Sequence, residues 1–109
     1  MEDVMSFPRQ TGLTFEQISE MLDSGISNYP RCLLISELGI IAEEDKNAEI
    51  KLRGLLLTEK KDNEKCGAYG FLSRIKEPDP ETVQAIEQFR ANPENNGIVR
   101  FADEKNATT

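Results

Sequence analysis

Residues 49–76 constrain the fold of this 109-residue chain more than any other segment, because apolar and polar residues alternate on both sides of Asp62-Asn63. Alternation with a period of two is typical of β-strands, and an Asp-Asn pair between two such runs indicates a tight turn. Centring the turn on that pair places Phe71 opposite Gly54 on an apolar face, where the aromatic ring would cover the glycine backbone. The segment is therefore predicted to form an antiparallel β-hairpin.

The second face of the predicted hairpin carries a group of cations in a chain that is otherwise acidic. The formal net charge is −7, yet residues 49–78 hold seven bases against five acids. The register brings together a cationic set that consists of Lys51, Arg53, Arg74 and Lys76. The set predicts a regulatory site for a small anion or a nucleotide, unless the protein's own acidic helices neutralise it.

Two helices are predicted from their start signals. Thr14 followed by Gln17 forms a capping box, and the apolar residues after it recur at helical spacing, which predicts a helix over residues 15–23. Asp79, followed by a proline at the first helical position, gives a second start and predicts a helix over residues 80–91.

Three shorter segments complete the predicted elements. Residues 31–38 are predicted as a helix that ends near Gly39, with a buried strand over residues 32–36 as the alternative. Periodicity does not decide between the two, because the apolar run is short. Residues 39–42 and 98–101 are predicted as short strands.

Together these elements predict an α+β fold in one small domain. An antiparallel sheet of three or four strands, centred on the hairpin, would carry two or three helices on one face. The domain is expected to span residues 13–102 around a single core. A loosely held N-terminal arm, residues 1–12, and a frayed polar tail, residues 103–109, would flank it.

Exposed carboxylates are predicted on two parts of the chain outside the hairpin. Glu16, Glu20 and Asp23 fall on the outward side of the first helix, and Glu43 and Glu44 follow in an acidic turn. Rows of carboxylates steer a protein towards a basic partner surface and accelerate encounter. These five residues, the acidic face, therefore predict a binding module for a basic protein surface. Inhibitors, immunity proteins against nuclease toxins and anti-host regulators from phages or other mobile elements have this character.

Catalysis is restricted by the residues that the sequence lacks. It contains no histidine, which excludes Ser-His and Cys-His nucleophiles, imidazole acid-base catalysts and Cys/His zinc sites. Its two cysteines, Cys32 and Cys66, are far apart and are expected to be reduced thiols. Carboxylate or lysine catalysis stays open in principle, but we expect a non-enzymatic protein without a cofactor or a metal.

Residues 14–27, TFEQISEMLDSGIS, resemble the helix-turn-helix of small repressors, in which a glycine and an Ile-Ser pair follow a short first helix. The resemblance implies a nucleic-acid-binding transcriptional regulator that acts through residues 14–38. Pro30 falls inside the segment that would read DNA, however, and Arg31 is the sole base of that region, whereas phosphate contacts require several. A protein partner is therefore expected in preference to nucleic acid.

The length of the apolar runs and the character of the N-terminus indicate where in the cell the protein is expected. The densest, residues 38–42 and 55–57, are far too short to cross a bilayer. The N-terminus MEDVMSFPRQ carries acids where a secretory leader requires bases. A cytoplasmic protein without membrane contact is expected, either as a monomer or as a homodimer.

Overall fold

A computed structural model of the protein describes residues 10–107, which form six α-helices joined by short connections. The helices are α1 (Phe15–Ser24), α2 (Arg31–Ile41), α3 (Lys46–Thr58), α4 (Asp62–Leu72), α5 (Pro80–Ala91) and α6 (Asn96–Ala107), with a 3₁₀ turn at Pro93–Asn95. No β-strand occurs between residues 10 and 107, so the predicted α+β fold is wrong and the architecture is all-helical. Most of the expected N-terminal arm and the last two residues of the expected tail lie outside the described residues.

The predicted hairpin is replaced by α3 and α4, which meet at a connection formed by residues 59–61. Leu52, Leu55 and Leu56 are all buried, and their separations of three and four residues place them on one side of a helix. In the hairpin register Leu55 would have faced away from the other two. Asp62, which was expected in the turn, instead opens α4, where a carboxylate interacts favourably with the helix dipole.

Phe71 packs against α2 and does not cover Gly54. The backbone of Gly39 allows this contact, because a Cβ atom built at Gly39 would stand only 2.3 Å from Cγ of Phe71. At Gly54 a Cβ atom would meet no atom of the described residues within 4 Å. The strand predicted over residues 39–42 is also wrong, because these residues complete α2 and its C-cap.

The closing strand predicted over residues 98–101 is wrong as well, because these residues lie within α6. The asparagine-rich stretch before them does redirect the chain, but it does so through the 3₁₀ turn. Asn92 caps this turn by accepting the backbone N–H of Glu94 at 3.0 Å. α6 then continues through residue 107, so the domain boundary expected at residue 102 falls inside a helix.

The two helices predicted from start signals are confirmed as α1 and α5. Thr14 Oγ1 accepts the Gln17 N–H at 3.1 Å, and Gln17 Oε1 accepts the Thr14 N–H at 2.9 Å, which completes the capping box. α1 ends at Gly25, whose φ of 75° favours a residue without a side chain. α5 begins at Pro80, and the alternative left open for residues 31–38 resolves as a helix, α2.

The core forms around α4, which packs against α2, α3 and α6. Tyr69 of α4 is fully buried, and its ring stacks on Phe89 of α5 with centroids 5.2 Å apart. α1 covers α2, and α5 lies against α3. The buried aliphatic residues around this centre include Ile18, Leu22, Leu34, Ile35, Leu38, Leu52, Leu55, Leu56 and Leu72. This arrangement leaves the outer sides of α1 and α3 in contact with solvent.

Candidate protein-interaction surface

The outer side of α1 carries three of the predicted acidic residues. Glu16, Glu20 and Asp23 are exposed, while Ile18 and Leu22 on the opposite side are buried in the core. Separations of four and three residues place the carboxylates in one line, about 10 Å long at 1.5 Å per residue. These three residues, the acidic row, form a line of exposed carboxylates on α1.

Glu43 and Glu44 are exposed in the turn that joins α2 to α3. The backbone N–H of Thr11, just before α1, donates to Glu37 near the end of α2 at 3.1 Å. The start of α1 therefore meets the end of α2, and the turn follows directly. The turn that carries Glu43 and Glu44 therefore follows the part of α2 that contacts the segment before α1.

Two members of the cationic set, Lys51 and Arg53, are bound by groups of the protein itself. Lys51 Nζ contacts the Asp23 carboxylate of α1. Arg53 Nη1 donates to Thr82 Oγ1 of α5 at 2.9 Å and lies 3.9 Å from Oδ2 of Asp79. α3 therefore directs one cation towards α1 and the other towards α5, and internal acids offset both charges.

The other two members, Arg74 and Lys76, lie in the link between α4 and α5. They line an open cavity of about 660 Å³. The remaining charged residues of its lining are Glu43, Glu44, Asp45, Lys46 and Glu77. The structure therefore divides the cationic set between two elements, and in this cavity four carboxylates accompany three cations.

Sequence reasoning missed a carboxylate at Glu49, which lies at the centre of a network between α3 and α5. Glu49 is fully buried and accepts hydrogen bonds from Thr82 Oγ1 at 2.6 Å, from the Asp79 N–H at 2.9 Å and from Lys46 Nζ at 2.9 Å. Burial by itself would raise the pKa of Glu49, but these hydrogen bonds outweigh it and hold the pKa below its usual value. No local pattern marks this residue, because two of its donors lie 30 and 33 residues away.

A second buried carboxylate, Glu59, joins the end of α3 to the start of α2. Arg31 donates two hydrogen bonds to the Glu59 carboxylate, from Nε at 3.1 Å and from Nη2 at 2.7 Å. The hydrogen bonds from Arg31 lower the pKa of Glu59 against the opposing effect of burial. Burial, together with the adjacent Glu59 carboxylate, raises the pKa of Glu64. The pKa values of the two carboxyl groups are therefore shifted in opposite directions.

Glu37 is another buried carboxylate, and here the sequence does carry a signal. It is the single charged residue in an apolar stretch over residues 33–42. A charge in such a stretch requires internal hydrogen bonds, because burial without them is very unfavourable. Glu37 accepts from the Gln10 N–H at 2.6 Å and from the Thr11 hydroxyl at 2.6 Å, so it binds the segment before α1 to α2.

A network around Tyr69 connects α4, α5 and α6. The Tyr69 hydroxyl donates to Asp103 Oδ1 at 3.0 Å and accepts a hydrogen bond from Arg90, which also donates to Asp103 Oδ2 at 2.9 Å. Burial, with the neighbouring Asp103, raises the pKa of Tyr69. Like the glutamate networks, it holds together helices that are distant along the chain.

The thiols and carboxylates of residues 10–107 do not assemble into a metal-binding group of three. Cys32 is exposed, Cys66 is partly buried, and both are free. Burial raises the pKa of the Cys66 thiol, which disfavours the reactive thiolate at neutral pH. The environment of Cys66 therefore does not favour a nucleophilic role.

Comparison of the chain with protein families, with curated proteins and with solved structures finds no match. Within the described residues, none of the helices combines the length and the apolar character that crossing a bilayer demands. Inference about function therefore rests on the geometry and charge of the surface itself.

Proposed function

We propose that the protein is a non-enzymatic binding module whose acidic face docks on a basic surface of a partner protein, in the manner of an inhibitor, an immunity protein or an anti-host regulator. The observation that carries the proposal is the exposed acidic row on α1. Glu16 and Glu20 form no ion pair with any described residue, so their carboxylates are available to a partner. Glu43 and Glu44, which are exposed in the turn after α2, contribute two further carboxylates.

The distribution of cations supports this role. Lys51 offsets Asp23 at one end of the acidic row, and Arg53 points away towards α5. The rest of the row keeps its negative potential in a chain whose formal net charge is −7. Such a surface attracts a basic protein over a distance comparable with the Debye length, so association should be fast at low salt and slow at high salt.

The buried carboxylates support binding more than catalysis. A catalytic acid or base must reach a substrate proton directly or through one water molecule. Glu37, Glu49 and Glu59 are instead buried and accept hydrogen bonds from the protein's own groups. Their role in joining helices accounts for their unusual environments, since ion-pair networks perturb pKa values without any catalytic function.

The cationic set gives weaker support to an anion site. Lys51 and Arg53 are paired internally, and Arg74 and Lys76 face a cavity in which carboxylates outnumber cations. A phosphate placed there would meet a net negative lining. No observation therefore favours anion binding over protein binding, and the same acidic balance disfavours nucleic acid.

A charge reversal on α1, with a matched reversal elsewhere, tests the proposed function. The row variant carries Glu16→Lys and Glu20→Lys, and the control carries Glu87→Lys and Glu104→Lys at exposed positions of α5 and α6. Both change the net charge equally. Each purified protein serves as bait in cell extract at about 50 mM and about 500 mM salt, concentrations that bracket physiological screening.

We expect the wild-type protein and the control to capture the same basic protein at low salt and to release it at high salt. The row variant should capture at least tenfold less. Equal capture by the row variant and the control would show that the acidic row is not the docking surface.

A further inference from the structure

A second open cavity, of about 510 Å³, lies between α4 and α6. Apolar atoms form most of its lining. Four of the lining residues have small side chains or none, namely Cys66, Gly67, Gly70 and Ala102. Small-molecule sites in proteins are typically clefts of about 300 to 1,000 Å³ with predominantly apolar walls. The cavity therefore has the size and the surface of a ligand site.

Gly70 keeps part of this cavity open. The Gly70 carbonyl accepts a hydrogen bond from Asn106 Nδ2 at 3.3 Å, so α4 and α6 lie close together here. A Cβ atom at Gly70 would stand 3.8 Å from Cβ of Ala102, which is ordinary van der Waals contact, and a longer side chain would occupy part of the cavity. A glycine in a helix interior is destabilising relative to alanine. Gly70 therefore weakens α4 but leaves room for a ligand.

Within the described residues, the charges that line the cavity are positive, although the chain has a formal net charge of −7. They belong to Arg74, just after α4, and to Lys105 of α6. Arg74 Cζ lies 5.9 Å from the centroid of the Phe71 ring, and Lys105 Nζ lies 5.4 Å from the centroid of the Phe101 ring. Both cations therefore lie beside apolar groups.

The acids of the two helices do not offset this charge within the cavity. Glu64 is buried beside Glu59, and Asp103 accepts a hydrogen bond from Arg90 at 2.9 Å. The four acids of α4 and α6 all lie outside the lining, namely Asp62, Glu64, Asp103 and Glu104. An apolar cavity with cations at its border is complementary to an apolar ligand that carries a negative charge.

We infer that the cavity between α4 and α6 binds a small amphiphilic anion, an unbranched alkyl chain that ends in a carboxylate, as in a medium-chain fatty acid. The alkyl chain lies along the small residues of the lining. Arg74 binds the carboxylate, because a guanidinium offers paired donors in the geometry that a carboxylate accepts. Lys105 adds positive charge from α6. The cavity shares no residue with the acidic face, so this inference goes beyond the proposed function and does not depend on it.

Spacing along α4 sets the length of the alkyl chain. Cys66 and Arg74 are eight positions apart, which corresponds to about 12 Å at 1.5 Å per residue. A chain such as that of decanoate spans this distance and places its methyl end near Cys66. The Cys66 thiol therefore reports whether the cavity is occupied. Cys32 is exposed and lies outside the lining, so its thiol is an internal reference.

Decanoate tests the inference on the full chain. Decanol has the same alkyl chain without a charge, and decyltrimethylammonium carries the opposite charge. Calorimetry measures the affinity of each compound below the concentration at which it forms micelles. In parallel, iodoacetamide labels the thiols, and mass spectrometry follows Cys66 and Cys32 separately.

Variants with matched controls separate the charge of the cavity from its volume. Arg74→Gln and Lys105→Gln each remove a lining charge, and Arg100→Gln removes an exposed charge of α6 outside the lining. Gly70→Leu fills part of the cavity. Gly54→Leu adds the same side chain to an exposed position of α3, where a Cβ would meet no described atom within 4 Å. Circular dichroism confirms that each variant is folded.

We expect decanoate to bind and to slow the labelling of Cys66 at least tenfold at saturation, while Cys32 reacts as before. Decanol should bind at least tenfold more weakly than decanoate, and decyltrimethylammonium should not protect Cys66. Arg74→Gln should weaken decanoate at least tenfold, and Lys105→Gln severalfold. Gly70→Leu should abolish binding, whereas the two control variants and the row variant should bind as the wild type does.

Four outcomes overturn the inference. They are no binding of decanoate, equal affinity for decanol and decanoate, unaltered labelling of Cys66 in the presence of decanoate, and full affinity in Arg74→Gln. The last two decide the matter even if Gly70→Leu does not fold. Self-association that Gly70→Leu abolishes, without binding of decanoate, would assign the cavity to a second copy of the chain instead. Loss of the protein partner by the row variant with decanoate binding retained would show that the two sites are independent.

Discussion

Replacing Glu49 with glutamine should strongly destabilise the protein, although it exchanges only one carboxylate oxygen for an NH2 group. Glu49 is fully buried and accepts three hydrogen bonds, of which two come from Thr82 Oγ1 and the Asp79 N–H. Both of these donors bond to Oε2, so a glutamine carbonyl in that place can accept both, but its amide group then faces Lys46 Nζ, which donates to Oε1. A buried donor without an acceptor costs about 1 to 3 kcal/mol, and the lost charge weakens the two remaining bonds, so we expect a loss of about 2 to 4 kcal/mol.

The pH dependence of this loss in unfolding free energy tests the role of the Glu49 charge more directly than the loss at a single pH. Because the folded pKa of Glu49 is lowered, its stabilising effect is present above the unfolded pKa of about 4.3 and is lost as pH falls through the folded pKa. Glu49→Gln should therefore lower Tm by about 10 °C at pH 7, on the scale of about 4 °C per kcal/mol for a domain of this size. The difference from wild type should shrink below about pH 4.

Urea unfolding at pH 7 and at about pH 3.5 measures the free energy of unfolding for both proteins. Glu87→Gln, an exposed carboxylate of α5, is the matched control and should change stability by no more than about 0.5 kcal/mol at either pH. A loss below about 1 kcal/mol at pH 7, or a loss that is the same at both pH values, would refute the reasoning.

Three further substitutions probe other contacts of the fold. Glu64→Gln should raise the free energy of unfolding by about 1 kcal/mol at pH 7, because it removes a charge beside Glu59 and keeps a hydrogen-bond donor. Since the folded pKa of Glu64 is raised, its contribution is present below the unfolded pKa and lost as pH rises, so the gain should vanish near pH 4 in the same urea assay. Gly39→Ala should lower stability by about 2 kcal/mol, measured by thermal unfolding, because its methyl group would collide with Phe71. Tyr69→Phe should cost about 1 to 2 kcal/mol by leaving the hydrogen-bonding groups around its hydroxyl without a partner, and an unchanged Tm would contradict this.

Local signals predicted the parts of the fold that depend on a few neighbouring residues. The capping box of α1 requires only Thr14 and Gln17, and the start of α5 requires only Pro80 behind an N-cap residue. Both helices were accordingly correct in kind and nearly correct in extent.

Residues 49–76 show why the rest of the fold could not be read locally. Leucines at positions 52 and 56 suit a strand face as well as a helix face, and Gly54, Gly67 and Gly70 disfavour a helix. The burial of Leu55 together with Leu52 decides for the helix, and that burial results from packing on α4 and α2. Tertiary contacts thus outweighed both local propensity and turn chemistry.

For the candidate site too, the sequence predicted what depends on local spacing and missed what depends on tertiary contacts. Exposure of Glu16, Glu20 and Asp23 followed from the helical spacing of α1, which the sequence reveals. The contact between Lys51 and Asp23 could not be anticipated, because it depends on how α3 lies beside α1.

The buried glutamates also bear on which arrangement of helices the chain adopts. Six short helices rich in leucine and isoleucine could exchange neighbours with little change in buried apolar area. Glu37, Glu49 and Glu59 each accept hydrogen bonds from a segment that lies 26 to 33 residues away along the chain. In a bundle with other helix neighbours these carboxylates would be buried without their hydrogen-bond donors. Such burial has a large free-energy cost that exchanged apolar contacts do not have. We therefore expect Glu37, Glu49 and Glu59 to favour one topology, together with the close fit of Phe71 on Gly39 and the Tyr69 network.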